Sequence, residues 1–582
     1  MGDIVGMLSG VVGNISSHLA NLPTSEAIIF DIATVLILSA IFGFVAKKLR
    51  QPLILAYVLT GLVIGPIVFG FVKNMDLIHA FSEIGVAFLL FIAGLEISFK
   101  KIKEANLKKI VLIGLLQVAA IFGVVFLCSN LIGISSLQAA YIGIILAFGS
   151  TMVDVKLLAD RNELVTLHGR LILGILLLQD LIAIIAIMIF TAGGFALAPL
   201  GVAFAKLLII LGIAILLQKF VLNKMFKFAA RSNELLLLSC LGILFLFVTM
   251  SYALELSIAI GAFVAGVSLA NSPFKIELES KVTPLRDFFA ILFFVALGMQ
   301  ISFNGVGANL MLLGFLLIGA LVLKPLITFI LLRVSGYQPR TSFATSISLA
   351  QLSEFSLIIG TIGLTSGVLD SGMFSTIILA TIITMSMTPY WISYKEFFYK
   401  LFKHPISILK FLPSHDSLKY EDSKNKEILI IGFHRMGGVL VEDLVKHKRD
   451  KILVIDYNPD VINALMKKKI SCIYGDIKSP EMLNKININK LKTVISTAPE
   501  YETNLFLLQK IKDINPKANV ILTGNRISET LNLYENGADF VVTPKIVAGE
   551  KLADIIHKGS AKTKEAKQKH LKHLERIHRS LY

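Results

Sequence analysis

From Ala27 to Ser393 the chain alternates long apolar stretches with short polar loops, and a helix of roughly 20 apolar residues is what a ~30 Å hydrocarbon layer requires. The pattern predicts about thirteen spans, near residues 25–46, 52–70, 81–99, 107–128, 136–155, 168–191, 199–217, 234–250, 253–271, 287–303, 308–332, 342–367 and 372–394. Loop charge tests this count, because a missed span would scramble the alternation of Lys and Arg between the two sides. Lys47, Lys48 and Arg50 share one loop, Lys100, Lys101, Lys103, Lys108 and Lys109 the next but one, and Lys156, Arg161 and Arg170 the next after that. The alternation continues through Lys219 to Arg231, Lys275 to Arg286, and Arg333 with Arg340, while the intervening loops offer only Lys73 and Lys206. The expected topology is multi-pass in a cell membrane, with the N-terminus outside and the C-terminus cytoplasmic. Residues 1–24 contain no Lys or Arg, so they lack the charged region of a cleaved signal peptide.

After Tyr394 the pattern changes. A polar linker, 395–425, carries Pro405 and Pro413. Short apolar runs then follow at 427–433, 451–456, 471–475, 493–497, 519–524 and 539–542, separated by amphipathic stretches. Strands of this length between helices mark βαβ units and a parallel sheet. Residues 426–557 are therefore expected to form a doubly wound, six-stranded, Rossmann-like α/β domain. The last segment, 558–582, is a basic tail with His570, His573 and His578 following His557, read as solvated or as touching anionic lipid or a partner subunit.

Composition narrows the class. The 582 residues are 55% hydrophobic and 16% charged, with a mean hydropathy of +0.76, which excludes a soluble protein. Three cysteines, Cys128, Cys240 and Cys472, with no C-x-x-C pair, exclude a disulfide framework or zinc site. The net charge of +16 divides unevenly: residues 1–394 hold 23 Lys+Arg and 18 Asp+Glu, the remainder 33 and 22. The excess, +5 against +11, thus lies mostly outside the membrane part, and no nucleic-acid partner is expected.

A charge in mid-span costs ~2.5–3.5 kcal/mol on insertion scales, so each one marks a candidate site. These are Asp154, Asp180, Lys324 and Glu354; Asp31, Glu83 and Glu96 lie nearer span ends. Asp180 sits halfway along GRLILGILLLQDLIAIIAIMIF beside Gln179. A carboxylate buried there is stable when protonated or when holding a cation, because an empty ionised one has nothing to offset its desolvation. That is exchange chemistry, one cation for one proton, and Gln179 could add a neutral carbonyl oxygen to the cation's shell. Gly149, Ser150 and Thr151 interrupt one apolar span, and Gln351, Ser353 and Glu354 another. Such clusters are tolerated where a helix breaks and its freed carbonyls line a cavity, the mark of an inverted-repeat transporter, or they serve ordinary helix packing. Lys324, followed by Pro325, would neutralise a carboxylate in the ion-free state or hold a helix end.

QPLILAYVLTGLVIGP (51–66), EIGVAFLLFIAGLEIS (83–98), GSTMVDVKLLADRNELVTLHGRLILGILLLQDLIAI (149–184), AIGAFVAGVSLANS (259–272) and FFAILFFVALGMQISF (288–303) resemble the monovalent cation:proton antiporter-2 family, in its Kef-type potassium efflux branch. The resemblance implies a transporter and not an enzyme, a thirteen-helix fold with a dimerisation domain and a moving core across 1–394, and a homodimer. It implies Asp180 as the ion-and-proton carboxylate and Lys324 as the basic residue of the eleventh span. A Gln-Asp pair implies K+/H+ exchange, with Na+ the alternative cation. Asp154 departs from the pattern and is either a second acid at the site or a residue of the cytoplasmic funnel.

EILIIGFHRMGG (427–438) follows an expected strand and opens an expected helix, and Asp456 ends the next strand, the context of a dinucleotide fingerprint. The domain resembles the RCK N-terminal (TrkA-N) domain, also through GDIKSPEML (475–483), STAPEYETN (496–504) and ENGADFVVTP (535–544). The resemblance implies a phosphate loop from Gly432 through His434 and Arg435 to Gly437, a ribose acid at Asp456, and Asp476 and Thr497 flanking the adenosine. His434 stands where G-x-G-x-x-G has its second glycine, which lets backbone approach a pyrophosphate. An adenine mononucleotide such as AMP is therefore favoured over NAD(H), and a dimerisation scaffold is the alternative. An RCK-gated K+ channel would need a TVGYG-like filter, which the sequence lacks.

Overall fold

The computed structural model describes residues 24–402 apart from 50, 66–67, 70–74, 97–106, 129–132, 162, 165, 193–196, 303–305 and 308; it also describes 419–420, 426–557 apart from 434–435, 476, 478–481 and 483–485, and residue 571. The chain forms two compact units, one of residues 1–164 and 168–413, the other of residues 414–582 together with 165–167.

The first unit is all helix. In chain order it comprises α1 (Thr24–Lys48), α2 (Leu53–Ile64), α3 (Met75–Glu96), α4 (Leu107–Cys128), α5 (Ser136–Ala147), α6 (Thr151–Asp160), α7 (Leu167–Thr191), α8 (Leu197–Leu217), α9 (Asn223–Ala229), α10 (Asn233–Ala253), α11 (Ile258–Leu269), α12 (Lys275–Met299), α13 (Leu310–Ile318), α14 (Lys324–Val334), α15 (Pro339–Ser348), α16 (Glu354–Thr365), α17 (Ser371–Ser393) and α18 (Lys395–Leu401). Single π-turns join α8 to α9 and α13 to α14. Among the described residues nine helical stretches are long and apolar enough to cross a membrane, and four more apolar helices are shorter.

The expected spans 136–155 and 342–367 are each two half-helices. The break between α5 and α6 falls at Phe148, Gly149 and Ser150, and Ser150 caps α6 by accepting the Val153 amide. The break between α15 and α16 runs from Leu349 to Ser353, where Ser353 caps α16 by accepting the Phe355 amide. Serine serves both ends because its hydroxyl can accept an amide that has no carbonyl partner in the first turn. Elsewhere the bundle packs by close approach. A Cβ on Gly94 of α3 would lie 2.3 Å from the Phe263 carbonyl oxygen, and one on Gly266 of α11 would lie 2.0 Å from that of Phe91. Only glycine on both sides lets these backbones meet.

The second unit is an α/β sandwich. Its strands are β1 (Lys419–Tyr420), β2 (Ile428–Ile431), β3 (Ile452–Asp456), β4 (Cys472–Tyr474), β5 (Thr493–Ser496), β6 (Asn519–Thr523) and β7 (Phe540–Val542), and its helices α19 (Met436–Lys448), α20 (Pro459–Lys467), α21 (Tyr501–Ile514), α22 (Ile527–Glu535) and α23 (Pro544–His557). The sheet order is β1-β4-β3-β2-β5-β6-β7. The sheet is seven-stranded where six strands were expected: the linker contributes β1, two residues pairing antiparallel with β4. The other six are parallel in doubly wound order, with the reversal between β2 and β5. Alternate residues of β2 and β3 feed two cores. Leu429, Ile431, Leu453 and Ile455 join one, and Ile428, Ile430, Ile452 and Val454 join the other, as strands covered on both faces must.

Candidate ion-binding and nucleotide-binding sites

The two breaks meet around Lys324. Its side chain is fully buried, and its ammonium donates to the carbonyl of Phe148 at 2.6 Å and to that of Gln351 at 2.7 Å. One cation thus satisfies a freed carbonyl from each interrupted helix, where the helix C-termini concentrate negative potential. No carboxylate lies within ion-pair distance of Lys324 among the described residues, so of its two expected uses the structure displays the holding of helix ends. The π-turn Gly319–Leu323 immediately precedes it.

Gln351 ties the breaks further: its Nε2 donates to the Ser150 carbonyl at 3.3 Å and its Oε1 accepts from Thr388 at 2.9 Å. Ser356 donates to the carbonyl of Ile145 at 2.7 Å, joining α16 to α5. Thr151, the first residue of α6, donates to Asp180 Oδ2 at 2.9 Å. Asp180 is 9% exposed. The structure therefore brings Ser150, Thr151, Asp180, Lys324 and Gln351 together from α6, α7, α14 and the α15–α16 break.

Asp154 and Glu354 occupy the first turns of α6 and α16. Asp154 is fully buried; among the described residues neither of its oxygens has a partner at hydrogen-bond distance, and Gln351 is its polar neighbour. Its charged neighbours are Lys324, which attracts, and Glu354, which repels. Glu354 is 4% exposed and accepts from Ser353 at 3.4 Å.

Gln179, expected to add a carbonyl oxygen to a cation's shell, is hydrogen-bonded through both ends of its amide. Its Oε1 accepts the Gly149 amide at 2.8 Å, and its Nε2 donates to Gln117 Oε1 at 2.9 Å. Gln117 in turn donates to Thr328, which donates to the Lys324 carbonyl. This chain of side chains fixes the broken backbone beside Asp180. Gln117, Thr328 and Thr388 were not among the sequence candidates; an uncharged polar residue within a span was their only signal.

In the second unit, Gly432 ends β2 at the point where strand order reverses, with φ at +85°. A Cβ there would lie 2.6 Å from Thr497 Oγ1, and one on Gly437 would lie 2.0 Å from the Gly432 carbonyl oxygen. Both glycines are needed for the tight turn into α19. Thr497 donates toward the carbonyls of Ile431 and Gly432, at 3.1 and 3.0 Å. Asp456, 7% exposed, accepts the Phe433 amide at 2.8 Å and the Asn458 amide at 2.7 Å. Through these two amides it pins the turn. The turn, Asp456 and Thr497 gather at the carboxyl end of the sheet, where open α/β folds take ligands. His434, Arg435 and Asp476 lie outside the described residues.

Residues 32–394 match the model of the sodium/hydrogen exchanger family, transmembrane. The chain belongs to the sodium/hydrogen exchanger family. Membership makes it a multi-pass membrane transporter of the cation/proton antiport class, and residues 428–544 match the TrkA-N domain, so the resemblance drawn from the sequence holds for both parts. The glutathione-regulated potassium-efflux system protein KefC of Escherichia coli (strain K12) is 28% identical over 509 residues, covering 85% of this chain and 79% of the relative. KefC of Shigella boydii serotype 18 matches to the same extent. The sodium proton antiporter MjNhaP1 from Methanocaldococcus jannaschii, solved at pH 8, shares the fold of the family's helical part, with a TM-score of 0.51 and 16% identity over 64% of this chain and 97% of that one.

Proposed function

We propose that the protein exchanges K+ for H+ by alternating access, with Asp180 carrying either ion in turn and the exchange electroneutral. The observation that supports this most directly is the Thr151–Asp180 contact, a nearly buried carboxylate held at the broken end of a half-helix. Freed carbonyls and hydroxyls at Ser150 and Thr151 would complete a dehydrated cation's shell. Gln179, Gln351 and Lys324 would keep the two breaks in register, and Asp154 and Glu354 would be further acids on the ion's route. Potassium is preferred because the Gln179–Asp180 pair resembles K+-exchanging members and because the KefC relatives are named for potassium efflux. Na+ exchange is the second reading, favoured by the fold shared with a sodium proton antiporter.

The same proposal assigns residues 1–394 to transport, 395–425 to a linker, 426–557 to regulation through an adenine nucleotide, and 558–582 to a basic tail. It places the C-terminus in the cytoplasm and the protein in the membrane as a homodimer. Reconstituted vesicles test it: cation-driven proton flux should be larger with K+ than with Na+ or Li+, and Asp180→Asn, which can mimic only the protonated state, should abolish it. Flux surviving in that variant would move the site, with Asp154 the next candidate.

A further inference from the structure

Helix α18 begins two residues after α17 ends and opens the 395–425 stretch that leads to the TrkA-N domain. The covalent path from that domain into the membrane unit therefore runs through α18. The structure shows what α18 holds. At its first residue, the Lys395 ammonium bonds Glu163 Oε2, on the loop joining α6 to α7, and His168 Nε2, in the first turn of α7, contacts the same oxygen at 2.9 Å. One residue before Tyr394, Ser393 accepts a hydrogen bond of 2.7 Å from Arg161, the C-cap of α6. At the other end of α18, Tyr399 and Phe402 place their rings 5.6 and 6.4 Å from that of Phe343, in the middle of α15.

These contacts fall on both interrupted helices. α6 runs from Ser150 and Thr151 at the ion-site break to Arg161, α7 carries Gln179 and Asp180, and α15 leads into the break that holds Gln351. A ten-residue helix such as α6 spans about 15 Å as a stiff rod, so displacement of its loop end is delivered to Thr151 with little loss. The grip on the loop is made of partly buried charge. Glu163 and Lys395 have side-chain exposures of 20% and 13%, where solvent screens the pair less than at an open surface.

We propose that α18 is the coupling lever of the transporter. It grips the α6–α7 loop through Lys395 on Glu163 and grips α15 through Phe343, so that displacement of the TrkA-N domain shifts both broken helices around Asp180. This rests on the antiport reading above. It assigns positioning roles to Glu163, Lys395, His168 and Phe343, none of which lies at the ion site.

The test uses the full chain reconstituted in vesicles. Cation-driven proton flux is measured for E163Q, K395M, the double variant, the exchanged pair E163K/K395E, and F343A, together with hydrogen exchange of residues 161–168 and the thermal unfolding midpoint. E163Q and K395M should each change flux about fivefold or more in the same direction, and the double variant should go no further than either. The exchanged pair should return flux to within about twofold of the parent and restore amide protection at 161–168. F343A supplies the same comparison at the other grip should the charge variants fail to fold. Flux unchanged in variants whose loop protection has fallen would reduce the contact to scaffolding and overturn the proposal. So would an exchanged pair that regains protection without flux, or single effects that add. Absence of flux in the parent would instead sink the antiport reading and the coupling with it, which separates the two failures.

Discussion

At the scale of single residues, the candidate ion site is held by amides more than by charges. Gln117 and Gln179 form a relay from Thr328 to the Gly149 amide, and each side chain is fully buried. Removing one member leaves a buried donor without a partner, which costs about 1–3 kcal/mol. Gln117→Leu should therefore lower the thermal unfolding midpoint, and it should cut exchange by releasing Gln179 from the broken backbone. A variant with parental midpoint and flux would show that the relay is dispensable. Lys324→Met is more severe, since it strands the Phe148 and Gln351 carbonyls together; little folded protein should survive detergent extraction and size exclusion. The charged members of this cluster were legible because a charge inside an apolar run is costly and must find polar partners. The relay was not: Gln179 finds Gln117 across 62 positions, and no periodicity records a partner at that distance. For the same reason the sequence did not show that the Gln179 oxygen also accepts the Gly149 amide.

At the scale of elements, both helix breaks were readable because serine and glycine clusters inside hydrocarbon need freed backbone to explain them. The strands of the second unit were readable from their apolar runs. What escaped was short. α18 and β1 lie in the stretch read as linker, and seven-residue and two-residue elements are set by the surfaces they dock on, not by their own pattern. The close approach of α3 and α11 gives an element-scale prediction. Gly266→Val would place a side chain against the Phe91 carbonyl, the helices would have to separate, and monodisperse protein should be lost on size exclusion while Gly314→Val, with open space at its Cβ, is tolerated. The α6–α7 loop gives another. Burial alone would raise the Glu163 carboxyl, but the His168 hydrogen bond and the Lys395 charge hold it down at about 2, below its ordinary 4.5. A carboxylate lowered on folding stabilises fully above its unfolded pKa and loses that contribution as pH falls toward the folded one. Amide protection at 161–168, corrected for intrinsic rates, should stay level from about pH 8 to 5 and fall below about 4.5. A decline beginning near neutrality would mean that another group governs the loop.

At the scale of the whole molecule, an antiporter joined to a nucleotide-type fold is regulated only if a ligand distinguishes two transporter conformations. Regulation of ~5- to 150-fold corresponds to about 1–3 kcal/mol of such difference. On the proposed reading, the turn at Gly432 would take the ligand's phosphate at the start of α19, where amides and helix dipole favour an anion. Asp456 holds that turn through the Phe433 amide, at the position where the resemblance implies a ribose acid. The sequence has His434 where the motif G-x-G-x-x-G has its second glycine, the residue that lets backbone approach a pyrophosphate. Calorimetry on the full-length protein in detergent should accordingly find AMP binding more tightly than NAD(H). Asp456→Ala, which frees the Phe433 and Asn458 amides and removes the ribose acceptor, should abolish that binding without altering nucleotide-free, Asp180-dependent flux. NAD(H) binding more tightly than AMP would overturn the inference from His434. No binding of either nucleotide would leave the domain a scaffold for pairing subunits, and its influence on transport would then have to come from the partner protomer.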